Sequence, residues 1–338
     1  MDPRQPSDQK HHLFSFPIII KRELSFLSQI LLNNEKSSKG ACDYSYGRWV
    51  RDQSYYKIQS YDETCPFLDP GFRCRRCGRK DAEYLNWRWK PDGCEIPRFN
   101  ASDLLERSRN GRIVFAGDSI GRNQWESFLC ILSQGVPNKS TIYEEHGKPI
   151  TKHKGFLSMR FSEYNLTVEY YRVPFLVVVG RPPLDSPTYI KMTVKVDQLH
   201  WFSRKWVGAD ILVFSGGHWW NEYKTLKMNG TWNTAGRCDV DIEPEADFMN
   251  LEPEPVNNQL ISDIIKQMEL EYRNSKVQYL NITYLTQFRF DGHPSVHREP
   301  GTPVPAPQDC SHWCLPGIPD VWNEILYAHL LSLGFRTK

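Results

Sequence analysis

RIVFAGDSIGRNQWESFLC, residues 112–130, decides the fold of this chain. It opens with a short apolar run typical of a buried strand, and a helical pattern follows from Arg122 to Leu132. Gly117, Asp118 and Ser119 lie between the two. Because ligands bind at the carboxyl edge of open α/β sheets, where helix starts offer free N–H groups, Ser119 is a candidate nucleophile. The alternative is a helix cap, a position that both Ser and Asp favour.

Short strands and helices alternate along the rest of the chain. This alternation predicts an α/β layer fold with a mainly parallel sheet. Pro-rich linkers are predicted at residues 243–255 and 299–307. The further predicted strands are 156–161, 166–172, 175–180, 210–214 and 277–282, and the predicted helices are 194–205, 257–273 and 321–333.

Three regions differ in composition. Residues 1–41 read as a leader or stem without a clear transmembrane helix, because Lys21 to Glu23 interrupt its apolar residues far short of the roughly 20 needed to span a bilayer. Either a targeting signal lies upstream of Met1, or this segment is itself a poor signal sequence. Residues 42–99, rich in Cys and Trp, predict a disulfide-held N-terminal subdomain, and residues 100–338 a catalytic domain.

Charge and cysteine content narrow the function class. The 338 residues carry 42 Lys and Arg against 40 Asp and Glu, so no polybasic field favours nucleic acid or acidic lipid. Nine cysteines with five N-x-S/T sequons indicate an oxidising lumen. Cys74 and Cys77 would allow a zinc site, but a second C-x-x-C pair is missing, so we expect no metal and an unpaired Cys77. The sequons begin at Asn100, Asn138, Asn165, Asn229 and Asn281.

A base for the serine is predicted near the end of the chain, in QDCSHWC, residues 308–314. Asp309 and His312 are three residues apart, so one helical turn places them on one side. Asp309 can then accept a hydrogen bond from one imidazole nitrogen while the other nitrogen faces Ser119. A surface polar turn between two bridged cysteines is the alternative.

Other residues are candidates for binding substrate or the oxyanion. His218 and His293 are rival bases that could also line the cleft, and Trp219 suggests a platform for sugar rings, with a buried core tryptophan as the alternative. The predicted oxyanion donors are the Ser119 N–H with Gly216 or Gly217 and the side chain of Arg122 or Asn123. Arg122 and Asn123 could instead only anchor the helix start. The oxyanion and substrate candidates together are Gly117, Asp118, Arg122, Asn123, Ser215, Gly216, Gly217, His218, Trp219 and His293.

Three long motifs resemble those of the plant trichome birefringence-like proteins. They are GDSIGRNQWESFLC, CDYSYGRWV with NWRWKPDGCEIPRF, and QDCSHWCLPGIPDVWNEILY, and the resemblance extends over residues 42–338. It implies an SGNH-hydrolase-like three-layer sandwich with Gly-Asp-Ser and Asp-x-x-His motifs. It also implies a Golgi type II membrane protein that O-acetylates cell-wall polysaccharides such as xylan or pectin, with Ser119 acetylated and Asp309 and His312 completing the triad.

The resemblance carries further expectations. No cofactor is bound, an acetyl-CoA-derived donor is required, and the partners are a polysaccharide acceptor and a Golgi acetyl-donor transport protein. The competing functions are a polysaccharide acetylesterase and a non-catalytic pectin-binding protein. The implied disulfides are Cys42–Cys94, Cys65–Cys130, Cys74–Cys314 and Cys238–Cys310.

Three features depart from the family pattern. The usual N-terminal anchor is not evident, and Ser215 stands where relatives often have an oxyanion-binding Asn. Only about a dozen residues separate Trp220 from Trp232, so one helix-strand unit near residues 221–231 is expected to be missing. Such a loss would leave an open sheet edge or a gap beside the site.

Overall fold

The computed structural model describes residues 15–21, 42–55, 61–217, 219–220, 237–271 and 276–337, with only the backbone of residues 15–21. Its strands are β1 (Ser15–Lys21), β2 (Gly47–Arg51), β3 (Trp87–Pro91), β4 (Arg112–Gly117), β5 (Ile142–Glu144), β6 (Phe156–Phe161), β7 (Leu166–Arg172), β8 (Val177–Gly180), β9 (Thr193–Leu199), β10 (Ile211–Gly217) and β11 (Lys276–Tyr279). Its helices are α1 (Ala101–Arg107), α2 (Ser119–Ser133), α3 (Ser203–Trp206), α4 (Val256–Glu271), α5 (Thr283–Gln287) and α6 (Ile318–Ser332).

A seven-stranded sheet forms the centre of the fold, in the order β11-β1-β10-β4-β7-β6-β5. Strands β10, β4 and β7 pair in parallel at its centre, and five of the seven strands run in the same direction. The predicted α/β fold with a mainly parallel sheet is therefore confirmed. The central position of β4 follows from its sequence, because every residue of RIVFAG after Arg112 is buried.

Helix α2 begins three residues before the predicted start at Arg122 and is buried along almost its whole length. It packs against α6, and both helices contribute to one large hydrophobic core with the sheet. The first residue of α2 is Ser119, immediately after the end of β4. The core therefore holds the candidate nucleophile at the carboxyl edge of the central strand.

The predicted helix over residues 194–205 is wrong. Strand β9 occupies its first half and pairs with β8 in a separate two-stranded ribbon, and only the four-residue α3 follows. The sequence of β9, TVKVDQL, alternates β-branched and polar residues at its start, a pattern that suits a strand exposed on one face. This alternation with a period of two residues predicts a strand and not a helix.

The segment assigned to a leader or stem supplies a strand of the sheet. Strand β1 lies between β10 and β11 and is antiparallel to both, so residues 15–21 belong to the fold and not to an external stem. Within the described ranges, no helix combines the length and apolar character required to cross a bilayer.

The N-terminal subdomain is joined to the rest by a common core. Its strands β2 and β3 pair in antiparallel fashion, and Phe67, Leu68 and Trp89 lie in the same buried cluster as α2 and α6. The disulfides implied by the family resemblance are all present, and Cys77 is free. Two of them, Cys65–Cys130 and Cys74–Cys314, connect the subdomain to the catalytic domain.

Glycosylation of the sequons stays a prediction. Asn100, Asn138 and Asn165 are exposed, and Asn281 is half-buried with its amide donating to Glu254. Asn229 lies outside the described residues.

A buried polar network connects α2 and α6. The Asp320 carboxylate accepts hydrogen bonds from Tyr61 and Ser127, and the Glu324 carboxyl accepts one from Tyr55. Burial raises the pKa of Glu324 to about 8. The folded protein therefore holds a proton on Glu324 at pH values where the unfolded chain has lost it.

We expect Glu324→Gln to change how stability depends on pH. Between the ordinary Glu pKa of 4.5 and about 8, the wild type binds more protons folded than unfolded, so its free energy of unfolding falls as pH rises. In Glu324→Gln the neutral amide removes this fall in the free energy of unfolding, which is on the order of a few kcal/mol at pH 8. Urea unfolding at pH 5 and pH 8 measures it, with exposed Glu269→Gln as control. Equal pH dependence in wild type and Glu324→Gln would contradict the assignment.

Candidate active site

Ser119 opens α2 beside a separate capping residue. The buried Asp118 side chain accepts hydrogen bonds from the Ile120 N–H at 2.9 Å and the Gly121 N–H at 3.3 Å. Asp118 is therefore the helix cap, and the partly exposed Ser119 is left for another task. This arrangement separates the two alternatives that the sequence left open.

Two glycines allow the end of β4 and the first turn of α2 to approach β10. A Cβ at Gly117 would lie 1.8 Å from the Ser215 carbonyl oxygen, and one at Gly121 would lie 2.6 Å from the Ser215 Cβ. Ser215 is buried against these glycines, and its carbonyl accepts the Asp118 N–H at 3.1 Å. Ser215 therefore packs beneath the helix start and does not open into the cleft as an oxyanion ligand, and Gly117 likewise serves close approach.

Asp309 and His312 form the predicted pair. The His312 Nδ1 lies 2.9 Å from Asp309 Oδ2 and 3.0 Å from Oδ1. The Asp309 Oδ1 also accepts the backbone N–H groups of Ser311 and His312, both at 3.2 Å. The carboxylate thus holds both the imidazole and the turn that carries it. The other imidazole nitrogen, Nε2, is left to act as a base.

The electrostatics of this pair suit a general base. Burial opposes charge on the imidazole, yet the Asp309 carboxylate raises the pKa of His312. Burial also opposes the charge on Asp309, yet the contact with His312 lowers the pKa of that carboxyl. Asp118 acts on His312 in the same direction as Asp309, so the imidazole lies within electrostatic range of the residue that precedes Ser119.

Asn123 connects the serine helix to the histidine segment. Its Oδ1 accepts the Trp313 N–H at 2.7 Å, and its Nδ2 donates to the Trp313 carbonyl at 3.1 Å. Asn123 is buried one helical turn after Ser119, and Trp313 follows His312 directly. Asn123 thus has the anchoring role, and because its Nδ2 carries a second N–H, its oxyanion role stays a prediction. It positions Ser119 and His312 relative to each other.

The hydrogen bonds of the described residues do not include one between the Ser119 hydroxyl and His312. Such bonds are often long in unliganded enzymes and tighten when substrate binds. The pair is brought to the same edge of the sheet without this hydrogen bond.

Arg122 lies below this edge in a buried ion pair. Its Nε donates to Glu126 Oε1 at 2.7 Å, and its side chain is 3 % exposed. Glu126 also accepts the Asp69 N–H, and burial raises the pKa of Glu126 to about 7. These contacts give Arg122 an anchoring role through its Nε, and an oxyanion contact through another guanidinium nitrogen stays a prediction.

His293 also differs from the prediction of a cleft residue or rival base. It is 2 % exposed, stacks on Trp313 at 3.9 Å between ring centroids, and its Nδ1–H donates to the His312 carbonyl at 2.6 Å. Burial lowers the pKa of His293 to about 4, so the ring is neutral at neutral pH. His293 supports the backbone of His312 and does not face substrate.

The end of β10 carries the remaining candidates. Gly216 and Gly217 complete the strand, and Gly217 has a φ of 125°, which favours glycine. Trp219 and Trp220 both pack edge-on against Phe175, at 5.7 and 5.4 Å between ring centroids. His218 lies outside the described residues.

Sequence reasoning missed two residues that brace the histidine turn. Arg79 donates to the carbonyls of Asp291 and His293, and Phe72 lies 5.5 Å from the His312 ring. Both come from the N-terminal subdomain near Cys74, whose disulfide to Cys314 brings them there. Nothing in the local sequence marks Arg79 among its neighbouring arginines. Within the described ranges, no three His, Cys, Asp or Glu side chains are grouped to hold a metal.

Two family profiles match this chain. The profile of the GDSL/SGNH-like Acyl-Esterase family found in Pmr5 and Cas1p matches residues 96–230 and 226–329, and that of the PMR5 N terminal Domain matches residues 40–95. Protein trichome birefringence-like 9 of Arabidopsis thaliana is 56% identical over 88% of this chain and 85% of its own length. The chain belongs to the trichome birefringence-like family. Trichome birefringence-like 6 and trichome berefringence-like 7 of Arabidopsis thaliana are 37% and 34% identical, over 86% and 94% of this chain and 70% and 80% of their own lengths.

Membership of the trichome birefringence-like family assigns the chain to the esterases and acyltransferases and confirms the SGNH-like fold class. The match to trichome birefringence-like 9 extends over 354 aligned positions although it includes 88% of the 338 residues, so that relative has residues for which this chain has no counterpart. The acyl-esterase profile also matches in two segments that overlap at residues 226–230, within the region 221–231 where a helix-strand unit is expected to be missing.

We expect Asn123→Ala to lower kcat for p-nitrophenyl acetate hydrolysis about a hundredfold, because a misplaced catalytic group is that costly. KM should change little, and the free energy of unfolding should fall by about 1–3 kcal/mol as the Trp313 backbone loses its partners. Gln134→Ala, near the other end of the same helix, is the control. An Asn123→Ala protein with unchanged kcat would refute the positioning role.

The pH profile tests the base. His312 must be neutral to accept a proton, so kcat/KM should fall as pH drops through its raised pKa, above the ordinary value of 6.5. Asp309→Asn removes the charge that raises this pKa, so the acid limb should move to lower pH and kcat should fall roughly a thousandfold or more. An unmoved limb in Asp309→Asn would show that another group titrates.

Proposed function

We propose that this chain is a serine-dependent O-acetyltransferase that passes acetyl groups through an acetyl-Ser119 intermediate to hydroxyls of plant cell-wall polysaccharides. The observation that carries the proposal is the bidentate contact of Asp309 with His312 Nδ1, held at the edge where Ser119 begins α2. This is the arrangement of a serine nucleophile, its base and an orienting carboxylate.

The reaction proceeds in two steps. His312 Nε2 takes the Ser119 proton as the hydroxyl attacks the acetyl carbonyl, and it returns that proton to the departing donor. The same nitrogen then takes the proton of a sugar hydroxyl, which attacks the acetyl-serine, and gives that proton to the Ser119 Oγ as the serine ester breaks. Because Asp118 occupies the N–H groups of Ile120 and Gly121, the Ser119 N–H is the helix-start donor left for the oxyanion.

The acceptor side of the proposal is supported by the aromatic residues after β10. Trp220 is 36% exposed and is fixed by its edge-on contact with Phe175, so its ring can stack on a sugar. The four disulfides support an oxidising compartment such as the Golgi lumen, where an acetyl-CoA-derived donor and a transport partner would supply the acetyl group. Type II membrane attachment belongs to the same proposal.

Hydrolysis is the competing outcome of the same triad. Acetyl-Ser119 that reacts with water makes the chain a polysaccharide acetylesterase, and a protein that binds glycan without turnover would be a pectin-binding protein. The partition between transfer and hydrolysis depends on how well the acceptor excludes water from the acetyl-serine.

After exposure to p-nitrophenyl acetate, we expect mass spectrometry to detect an acetyl adduct of about 42 Da on the peptide that contains Ser119. Ser119→Ala should lose both the adduct and product, while Ser133→Ala, at the far end of α2, keeps them. Xylo-oligosaccharides and oligogalacturonides added to the wild type should become acetylated. Release of acetate without acetylated sugar would support the esterase, and full turnover by Ser119→Ala would refute the covalent route.

A further inference from the structure

Positive charge collects on one side of Ser119 that the triad does not use. Arg172 ends β7 and is paired in register with Gly117, and the N–H of the next residue, Val173, donates to the Gly117 carbonyl at 2.7 Å. Arg172 is thus held beside the strand end that precedes Ser119. Its side chain is exposed.

The segment from Lys152 to Gly155 adds to this charge. The Arg172 N–H donates to the Gly155 carbonyl at 2.8 Å, and Arg122 in the first turn of α2 donates to the Lys154 carbonyl at 3.4 Å. The charge of Lys152 acts on the His312 imidazole, where it works against protonation. The segment therefore lies at the same edge as the base.

Two of these cations have no ion-pair partner among the described residues. Lys152 forms an ion pair with Glu299, but across the described part of the chain neither Lys154 nor Arg172 has a carboxylate partner. Below them, the Arg122 Nη2 is buried without a hydrogen-bond acceptor. Unpaired cations around a cleft attract anionic ligands because low-dielectric walls strengthen the field.

The carboxylates near this edge are already engaged. Asp309 binds His312, Asp118 caps α2, and Asp69 accepts the N–H groups of Gly71 and Lys152. They leave Lys154 and Arg172 to face a ligand. The chain as a whole is nearly neutral at +2, so this positive charge is a local property of the edge.

We infer that the acceptor of this site is an acidic glycan, whose uronate carboxylate binds Arg172 and Lys154 while its ring stacks on Trp220. Phe175, three residues after Arg172 in the chain, packs against Trp220, so the segment that carries the charge also fixes the ring. Arg matches the planar carboxylate with two donors, and Lys154 adds a point charge. The inference rests on the proposed function and selects the chemical class of its acceptor.

Binding separates this inference from the proposed reaction, because it needs no turnover. Isothermal titration of Ser119→Ala protein compares a de-esterified oligogalacturonide with its fully methyl-esterified form, which has the same sugars without the charge. We expect the charged form to bind about tenfold or more tightly, with a preference that weakens at high salt. Equal affinity for the two forms would overturn the inference.

Substitution of Arg172 and Lys154 tests whether these residues cause the preference for the charged form. Arg172→Gln with Lys154→Gln should abolish the preference for the charged form, whereas Arg109→Gln with Lys266→Gln removes the same two charges elsewhere and should keep it. A preference that survives in the Arg172 and Lys154 double variant overturns the inference. The inference is also overturned if the double variant loses only coenzyme A binding and keeps glycan binding, because the cations would then bind the phosphates of a donor.

Acetylation is measured separately on chains with Ser119 intact. The double variant should still form the acetyl-Ser119 adduct with p-nitrophenyl acetate, while its KM for the charged oligogalacturonide rises about tenfold or more. Charge-selective binding without any acetyl transfer would reject the transferase and keep the acidic ligand. Transfer with the same KM for charged and esterified acceptors would reject the acidic ligand and keep the transferase.

Discussion

Two hydrogen bonds between the amide of Asn123 and the backbone of Trp313 fix the distance between the start of α2 and the turn that carries His312. Ser119 and His312 lie almost 200 positions apart in the chain, so nothing local holds them in register. Both bonds are buried, where an unmet amide would be costly, so the two segments are held in one arrangement. The position of the base relative to the nucleophile depends on this contact.

Layers of charge and aromatic packing stabilise that contact from behind. His293 stacks on Trp313 and donates to the His312 carbonyl, and Arg79 in turn donates to the His293 carbonyl. Arg122 and Glu126 neutralise each other beneath the helix start. Burying such polar groups costs free energy that a hydrophobic core would not require. In exchange, these contacts define the geometry of the Ser119 and His312 side chains. The buried polar contacts therefore keep this edge of the sheet rigid.

The sequence predicted the parts of this design that depend on local pattern. The strand, Asp118 and Ser119 follow one another in residues 112–130, and Asp309 and His312 are separated by one turn, so spacing alone placed them. The roles of Asn123 and His293 could not be predicted, because each depends on a backbone group of the distant residues 312–313. Strand β1 was missed since its pairing with β10 is set by tertiary contact, and β9 because its alternation was interpreted as helical. The disulfide pairing came from family resemblance and not from spacing.

The Cys74–Cys314 disulfide closes a separation of 240 residues and supports the histidine turn directly. During synthesis Cys74 emerges long before Cys314, and at 5–20 residues per second the wait is on the order of tens of seconds. Throughout that time Cys77, three residues away, is the nearest thiol to Cys74 in the chain. A premature bond between them would have to be exchanged before the final one forms, through attack by another thiolate. If that bond forms, maturation of this protein requires thiol exchange, and in either case the histidine turn gains its disulfide only when almost the whole chain has been made.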